Sequence, residues 1–241
     1  MTIQHLPYSI DPAANRFHFY ENYWKVVSLQ LLARHLVPSG KKLLDYGCGR
    51  GETLKLAGEL GFEPTGTDSD PECVKLASQY GPASVLNVED PVGQFGRKSF
   101  DAVACFHVLE HVDNPKRVLS NLATIARQYV VLAVPNLRFL HRTFTRQFEL
   151  SGVNEGHLQS WDHGHLRNLA ERHCGLELVA WGSDTTILPL LSSLSQRIFG
   201  NKVTIFFETK LFRKIFPYHC ISVIGLFRVK ETPSKSNSIN A

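Results

Sequence analysis

The chain has 241 residues, 43% hydrophobic and 20% charged, with a formal net charge of +4 at neutral pH. That length suits one large α/β domain with a sizeable core, and the charge falls short of a nucleic-acid footprint. Five cysteines, at 48, 73, 105, 174 and 220, never stand in C-x-x-C spacing. They read as reduced thiols of a soluble cytoplasmic protein, without a disulfide or zinc framework, and neither a membrane span nor a signal-peptide core is visible.

Residues 1–40 form an aromatic-rich helical preface (Tyr8, Phe17, Phe19, Tyr20, Tyr23, Trp24), with an amphipathic helix from Val26 to Leu36 stopped by Pro38-Ser39-Gly40. Strands and helices then alternate, the pattern of a parallel sheet covered on both faces. Strands are expected at Lys42–Tyr46, Glu63–Thr67, Ala83–Leu86, Phe100–Phe106, Tyr129–Val134, Leu176–Trp181 and about His219–Val229. Helices are expected at Thr53–Leu60, after Asp70-Pro71, after Asn114-Pro115, and at His165–Cys174, where acid or amide N-caps, prolines at the first helical position and closing glycines mark the ends. Residues 136–164 and 183–216 read as irregular insertions on the acceptor side of a single domain spanning 1–230. The Ser/Asn/Lys-rich tail from 231 reads as disordered.

The apolar strand Leu43-Leu44-Asp45-Tyr46 runs into Gly47-Cys48-Gly49-Arg50-Gly51 and then a helix. Glycines there let a ligand approach the backbone, and the helix N-terminus offers free N–H groups, so the turn reads as a nucleotide cradle. A nicotinamide site wants Gly-x-Gly-x-x-Gly and a P-loop wants Gly-Lys-Ser/Thr; neither is present.

The turn and four further motifs, in order, resemble the class I S-adenosylmethionine (SAM)-dependent methyltransferases across about residues 20–182. They are Gly66-Thr67-Asp68, Asn87-Val88-Glu89-Asp90, Ser99-Phe100-Asp101-Ala102-Val103 through His107-Val108-Leu109-Glu110-His111-Val112, and Val131-Leu132-Ala133-Val134-Pro135-Asn136. The resemblance implies a Rossmann-like doubly wound seven-stranded sheet, order 3-2-1-4-5-7-6, with the last strand antiparallel. It implies SAM as cofactor, cradled by Asp45, Gly47, Cys48, Gly49, Asp68, Ser69, Asn87, Val88, Phe106 and Tyr20. Asp68, 17 residues past Gly51, would accept from both ribose hydroxyls. Asn87, where the family usually has aspartate, would accept from the adenine amine, and the Val88 N–H would meet an adenine nitrogen. Asp45 either orients the loop near the amino acid end of the cofactor or serves structure alone; Tyr20 and Tyr23 either close a lid or pack a core.

For the acceptor side, His107, Glu110 and His111 stand at i, i+3 and i+4, expected on one helical face at the mouth. The same pattern matches an inverted zinc-protease signature, which a nucleotide-fold strand in front of it argues against. The cluster is either a pocket wall or similar to the metal-assisted ubiquinone-pathway O-methyltransferases. Their Glu-x-x-Glu-His group has His107 here in place of the first glutamate, which puts a magnesium site in question, and no metal ligands are assigned. His107, His111 and His163 (in Trp161-Asp162-His163-Gly164-His165) are the candidate bases. From 197 to 230, seven basic side chains face one acid, with phenylalanines and isoleucines interleaved. This stretch could touch an acidic lipid surface, acidic substrates or RNA, or simply be a solvated face. The expected activity is methyl transfer from SAM to a small-molecule acceptor, most plausibly a hydroxyl oxygen. An RNA or protein methyltransferase and a silent SAM-fold binding protein are the alternatives; nucleic acid is disfavoured because the exocyclic-amine turn after strand four is missing.

Overall fold

The computed structural model describes residues 16–140 and 154–231, apart from the side chains of residues 17, 18 and 21. Tyr8, the Phe17 ring, residues 141–153 of the first insertion and the tail from 232 lie outside it. Helix α1 (Arg16–His35) leads to β1 (Lys41–Tyr46), α2 (Glu52–Glu59), β2 (Phe62–Asp68), α3 (Pro71–Ala77), β3 (Ala83–Val85), α4 (Pro91–Phe95), β4 (Phe100–Phe106), α5 (Pro115–Ile125) and β5 (Ala126–Pro135). Then come α6 (His163–His173), β6 (Leu176–Gly182), α7 (Pro189–Phe206) and β7 (Ser222–Val229). The seven strands pair in the order 3-2-1-4-5-7-6; β7 runs antiparallel to both β5 and β6, and the other pairs are parallel. This is the expected topology.

Period-two alternation divides the strand residues between two cores. Leu43, Ala102, Ala104, Val131, Ala133 and Ile224 pack under α1 and α2, whereas Leu44, Val103, Cys105, Val130, Leu132 and Val223 pack under α5 and α6. The helix starts follow local chemistry. Asp70, Asn114 and Asp162 accept from the backbone N–H of Glu72, Arg117 and His165 at 2.9, 2.9 and 2.8 Å. Each satisfies a donor that the first turn leaves without a partner. With Asp162 as the cap, α6 begins two residues before the expected His165.

The chain leaves β1 for β2 on one side while β4 pairs on the other. The carboxyl ends of β1 and β4 therefore diverge into a crevice, the usual ligand position in such sheets.

Two expectations change. Residues 183–216 are mostly helical: α7 bends at Gly200 (φ 76°) and continues through a π-helical turn, Phe207–Phe212, and a short turn, Arg213–Ile215. The segment escapes an amphipathic search because it buries Ser192, Ser195, Thr204 and Thr209 while Leu190, Leu191, Leu194 and Ile198 face outward. His107, Glu110 and His111 occupy an irregular turn between β4 and α5 and share no helical face. His107 has φ 54°, a left-handed conformation that ends any regular run.

Candidate active site

At the crevice a cleft of about 650 Å³ is lined by the glycine loop, the ends of β2 and β3, the 107–114 turn and the start of α5. Tyr46, Gly47, Gly49, Asp68, Ser69, Leu86, Val88, His107, Val108, His111 and Arg117 all contribute. Gly47 (φ 80°) has no room for a side chain, since a Cβ would lie 2.3 Å from Val108 Cγ2. Gly49 (φ 51°) is different: a Cβ there would meet nothing within 4 Å and would project into open space on the cleft side of the loop. The first glycine is required by packing, and the second leaves the backbone open to a ligand.

Asp68 ties this loop down. Its Oδ2 accepts from the Gly49 N–H at 2.8 Å and its Oδ1 from the Asp70 N–H at 3.0 Å. A carboxylate has about four acceptor directions, so capacity remains for two hydroxyls. Behind the loop, α2 is preceded by Gly51, which has no side chain to cap it, leaving N–H groups available at its N-terminus.

Asp45 lies beneath, 1% exposed, and neither oxygen accepts a hydrogen bond of ordinary geometry. Burial raises its pKa from the usual carboxylate range to about 7, with the Lys25 ammonium and the Thr53 hydroxyl opposing. Lys25, from α1, stands 3.7 Å from Glu52. Cys48 is buried under the loop and its thiol is pushed up to about 12 by burial, so it is an inert packing group.

The other anticipated cofactor residues are distributed unevenly. Ser69 and Val88 line the cleft; Asn87 does not. The Asn87 Oδ1 accepts from the N–H groups of Glu89 and Asp90 at 3.2 and 3.3 Å, closing a local turn. Phe106 is buried against Trp24, ring centroids 5.5 Å apart. Tyr20 and Tyr23 belong to a separate apolar cluster with Phe19, Ile187 and Ile205, and the Tyr20 hydroxyl donates to Glu208. The α1 residue that reaches the site is Trp24, whose ring lies 4.4 Å from that of His107.

On the acceptor side, His107 Nδ1 is 3.2 Å from Glu110 Oε1, a carboxylate that is itself 1% exposed. The His107 Nε2 is buried without a hydrogen-bond partner. His111 donates from Nδ1 to the Gly156 carbonyl at 2.8 Å, and its ring meets that of His157 at 4.8 Å. The N–H groups of Leu158 and Gln159 bond the Glu110 carbonyl at 2.7 and 3.1 Å, so the first insertion is stitched to this turn. Ligand atoms of Glu110, His111 and His157 lie within 4.8 Å of one another, a grouping that fits a divalent cation.

His163 is elsewhere. Its ring packs against Trp181 and Tyr218 at 4.8 and 5.1 Å, outside the cleft lining, and burial lowers its pKa to about 4. His157 and Arg117 were not anticipated. The Arg117 Nη2 donates to the Val88 carbonyl at 2.7 Å and meets Glu89 at 3.1 Å, clamping one wall. Only its place just inside an Asn-Pro helix start hinted at a role; His157 carried no signal beyond membership of a histidine-rich insertion.

The strand order, the glycine loop braced by an acidic strand end and the cleft between them define a SAM-dependent methyltransferase fold. A family model described as a methyltransferase domain matches residues 16–180, and the chain belongs to that family. A ubiquinone biosynthesis O-methyltransferase from Xanthomonas axonopodis pv. citri is 34% identical over 108 residues, 42% of this chain and 45% of that protein. The chain thus matches about half the length of this curated relative.

Among solved structures, a putative methyltransferase of Haloferax volcanii in complex with its Trm112 activator superposes with a TM-score of 0.64 at 18% identity, covering 91% of this chain and 95% of that one. Magnesium protoporphyrin IX methyltransferase from Synechocystis with bound S-adenosylhomocysteine (SAH) gives 0.58 at 19%, covering 89% and 85%. At these identities the structural likenesses establish the fold alone.

Proposed function

We propose that this methyltransferase acts on a hydroxyl oxygen of a small molecule. The observation that carries the reading is the pairing of His107 with buried Glu110 at the cleft wall, 3.2 Å apart, with Nε2 left partnerless. A carboxylate beside Nδ1 favours the tautomer with its proton there, so the buried, unprotonated Nε2 would be the atom that takes a proton once an acceptor reaches it. A hydroxyl must lose its proton as its oxygen is methylated; an amine with a free lone pair needs no such base beforehand. The O-methyltransferase named among the relatives is in keeping with this.

SAM supplies an electrophilic methyl on its sulfonium. The remaining work falls to the chain. Asp68 would accept from the ribose hydroxyls, Gly49 would let the backbone come close, and Leu86 and Val88 would offer apolar surface to the adenine. Asp45, buried beneath the glycine loop with only Thr53 and Lys25 to offset its charge, would gain from an ammonium at the methionyl end. Trp24, against the His107 ring, and the 156–159 segment, bonded to the same turn, would shield that side from water. Holding acceptor and methyl in line can lower the barrier by ~7–11 kcal/mol.

A second, compatible reading follows from the Glu110, His111 and His157 grouping. A divalent ion there would polarise the acceptor hydroxyl, and two imidazoles with one carboxylate favour zinc or iron over magnesium.

Calorimetry with SAM and SAH, followed by transfer of labelled methyl to a panel of phenols, catechols and amines, tests the proposal. Micromolar binding, loss of affinity in Asp68→Ala, and labelling of hydroxyl acceptors that disappears in His107→Ala are expected. Labelling of amines alone would overturn the oxygen assignment.

A further inference from the structure

The part of α7 before the Gly200 bend is folded inside out. There the residues turned to the domain are Ser192 and Ser195, whereas Leu190, Leu191, Leu194 and Ile198 are 87%, 53%, 55% and 60% exposed. The i, i+1, i+4, i+8 spacing puts those four on one face. Phe199, Phe206, Ile215 and Phe216 extend the exposed apolar surface along the same segment.

The inward polar groups are satisfied locally. Thr204 donates to Ser195 Oγ at 2.9 Å across the Gly200 bend, and Ser192 Oγ accepts from the Leu188 N–H at 3.2 Å. The orientation is fixed further along, where Ile205 packs with Phe19, Tyr20, Tyr23 and Ile187, and Thr186 donates from its N–H to the Glu208 carbonyl and from its hydroxyl to the Phe216 carbonyl. Exposed apolar surface of this kind marks an interaction site.

Charge selects the occupant. Between 189 and 216 the exposed charged side chains are Arg197, Lys202 and Lys214, with Lys210 and Arg213 half-buried. The single acid in the stretch, Glu208, is fully buried and paired with Arg16 at 3.4 Å. A two-fold contact between copies would set this uniformly cationic face against itself. Among the described residues no helix is long and apolar enough to cross a membrane.

We propose that α7 and the turns that follow it form a docking surface for an anionic bilayer. The leucines, isoleucines and phenylalanines would enter the headgroup boundary, and Arg197, Lys202 and Lys214 would meet lipid phosphates. The inference goes beyond the methyl-transfer reading and does not depend on it.

Flotation of the full chain with vesicles of phosphatidylcholine alone, or with one third phosphatidylglycerol, tests it at physiological salt. Binding only to the anionic vesicles is expected. Leu194→Glu/Ile198→Glu should abolish it, and Arg197→Gln/Lys202→Gln/Lys214→Gln should weaken it by roughly a hundredfold, about fivefold per charge. Both variants alter exposed positions, so an unchanged melting temperature and unchanged SAM binding serve as the folding control. An Ile198→Trp variant should add a blue-shifted emission component on anionic vesicles. Failure to float at millimolar lipid overturns the proposal, as does flotation that survives the double glutamate variant. A concentration-dependent dimer that the same glutamates dissolve overturns it too, in favour of a second copy on this face.

Discussion

Replacing Asp45 with asparagine should stabilise the ligand-free protein while impairing its cofactor site. Burial lifts this carboxyl from 3.8 to about 7, which at 1.36 kcal/mol per tenfold corresponds to about 4 kcal/mol against the charged form at high pH. The asparagine amide would itself be buried with few partners, at about 1–3 kcal/mol. The net gain at pH 8 is therefore about 1–3 kcal/mol, a rise in melting temperature of roughly 2–10 °C for a chain of this size.

The pH dependence has a definite sign. The folded state keeps a proton that the unfolded chain releases, so wild-type stability falls as pH rises from about 4 to about 7 and then levels. The melting-temperature difference between Asp45→Asn and wild type should be small near pH 4, open through that window and be complete by pH 8. Burial also raises Glu208 to about 7 and Asp184 to about 6, but both titrate in the two proteins and cancel in the difference. Differential scanning fluorimetry from pH 4 to 8 measures this, with calorimetry for SAM affinity, which should drop more than about tenfold through loss of a charged partner. A difference that stays constant across pH, or a variant less stable at pH 8, would refute the picture of a carboxylate whose burial outweighs Lys25 and Thr53.

Three other outcomes are expected. Gly47→Ala, with its Cβ 2.3 Å from Val108 Cγ2 at φ 80°, should lose about 2–4 kcal/mol in chemical denaturation from strain and overpacking; adding Val108→Ala should restore only the steric part. Tyr20→Phe removes a donor from buried Glu208 and should cost about 1–3 kcal/mol of stability with SAM affinity unchanged; weaker SAM binding would put the tyrosine at the cofactor after all. A zinc chelator should slow turnover more than about tenfold if Glu110, His111 and His157 hold an ion, and His157→Ala should lower metal uptake measured by mass spectrometry. Turnover indifferent to both, yet abolished by His107→Ala, would leave His107 acting as base without metal.

The regular half of the domain was legible because its information is local. Asp70-Pro71 and Asn114-Pro115 announce helices by cap chemistry, and Phe100–Phe106 announces a strand buried on both faces; all three stand where expected. The glycine turn and Asp68 were legible for the same reason: a backbone that must bend sharply and stay bare leaves few residue choices. Spacing along the chain misled at His107–His111, because i, i+3, i+4 implies a shared face only if the backbone is helical, and the left-handed φ of His107 breaks it.

Long-range packing settled the rest. The meeting of His111 with His157, the replacement of Tyr20 by Trp24 as the aromatic beside the site, and the removal of His163 to a pocket of Trp181 and Tyr218 join segments tens of residues apart. No local propensity encodes such pairings. The outward leucines of α7 are the extreme case: composition disclosed a basic, apolar stretch, but only the folded chain, by burying its serines, decided which side those leucines would face.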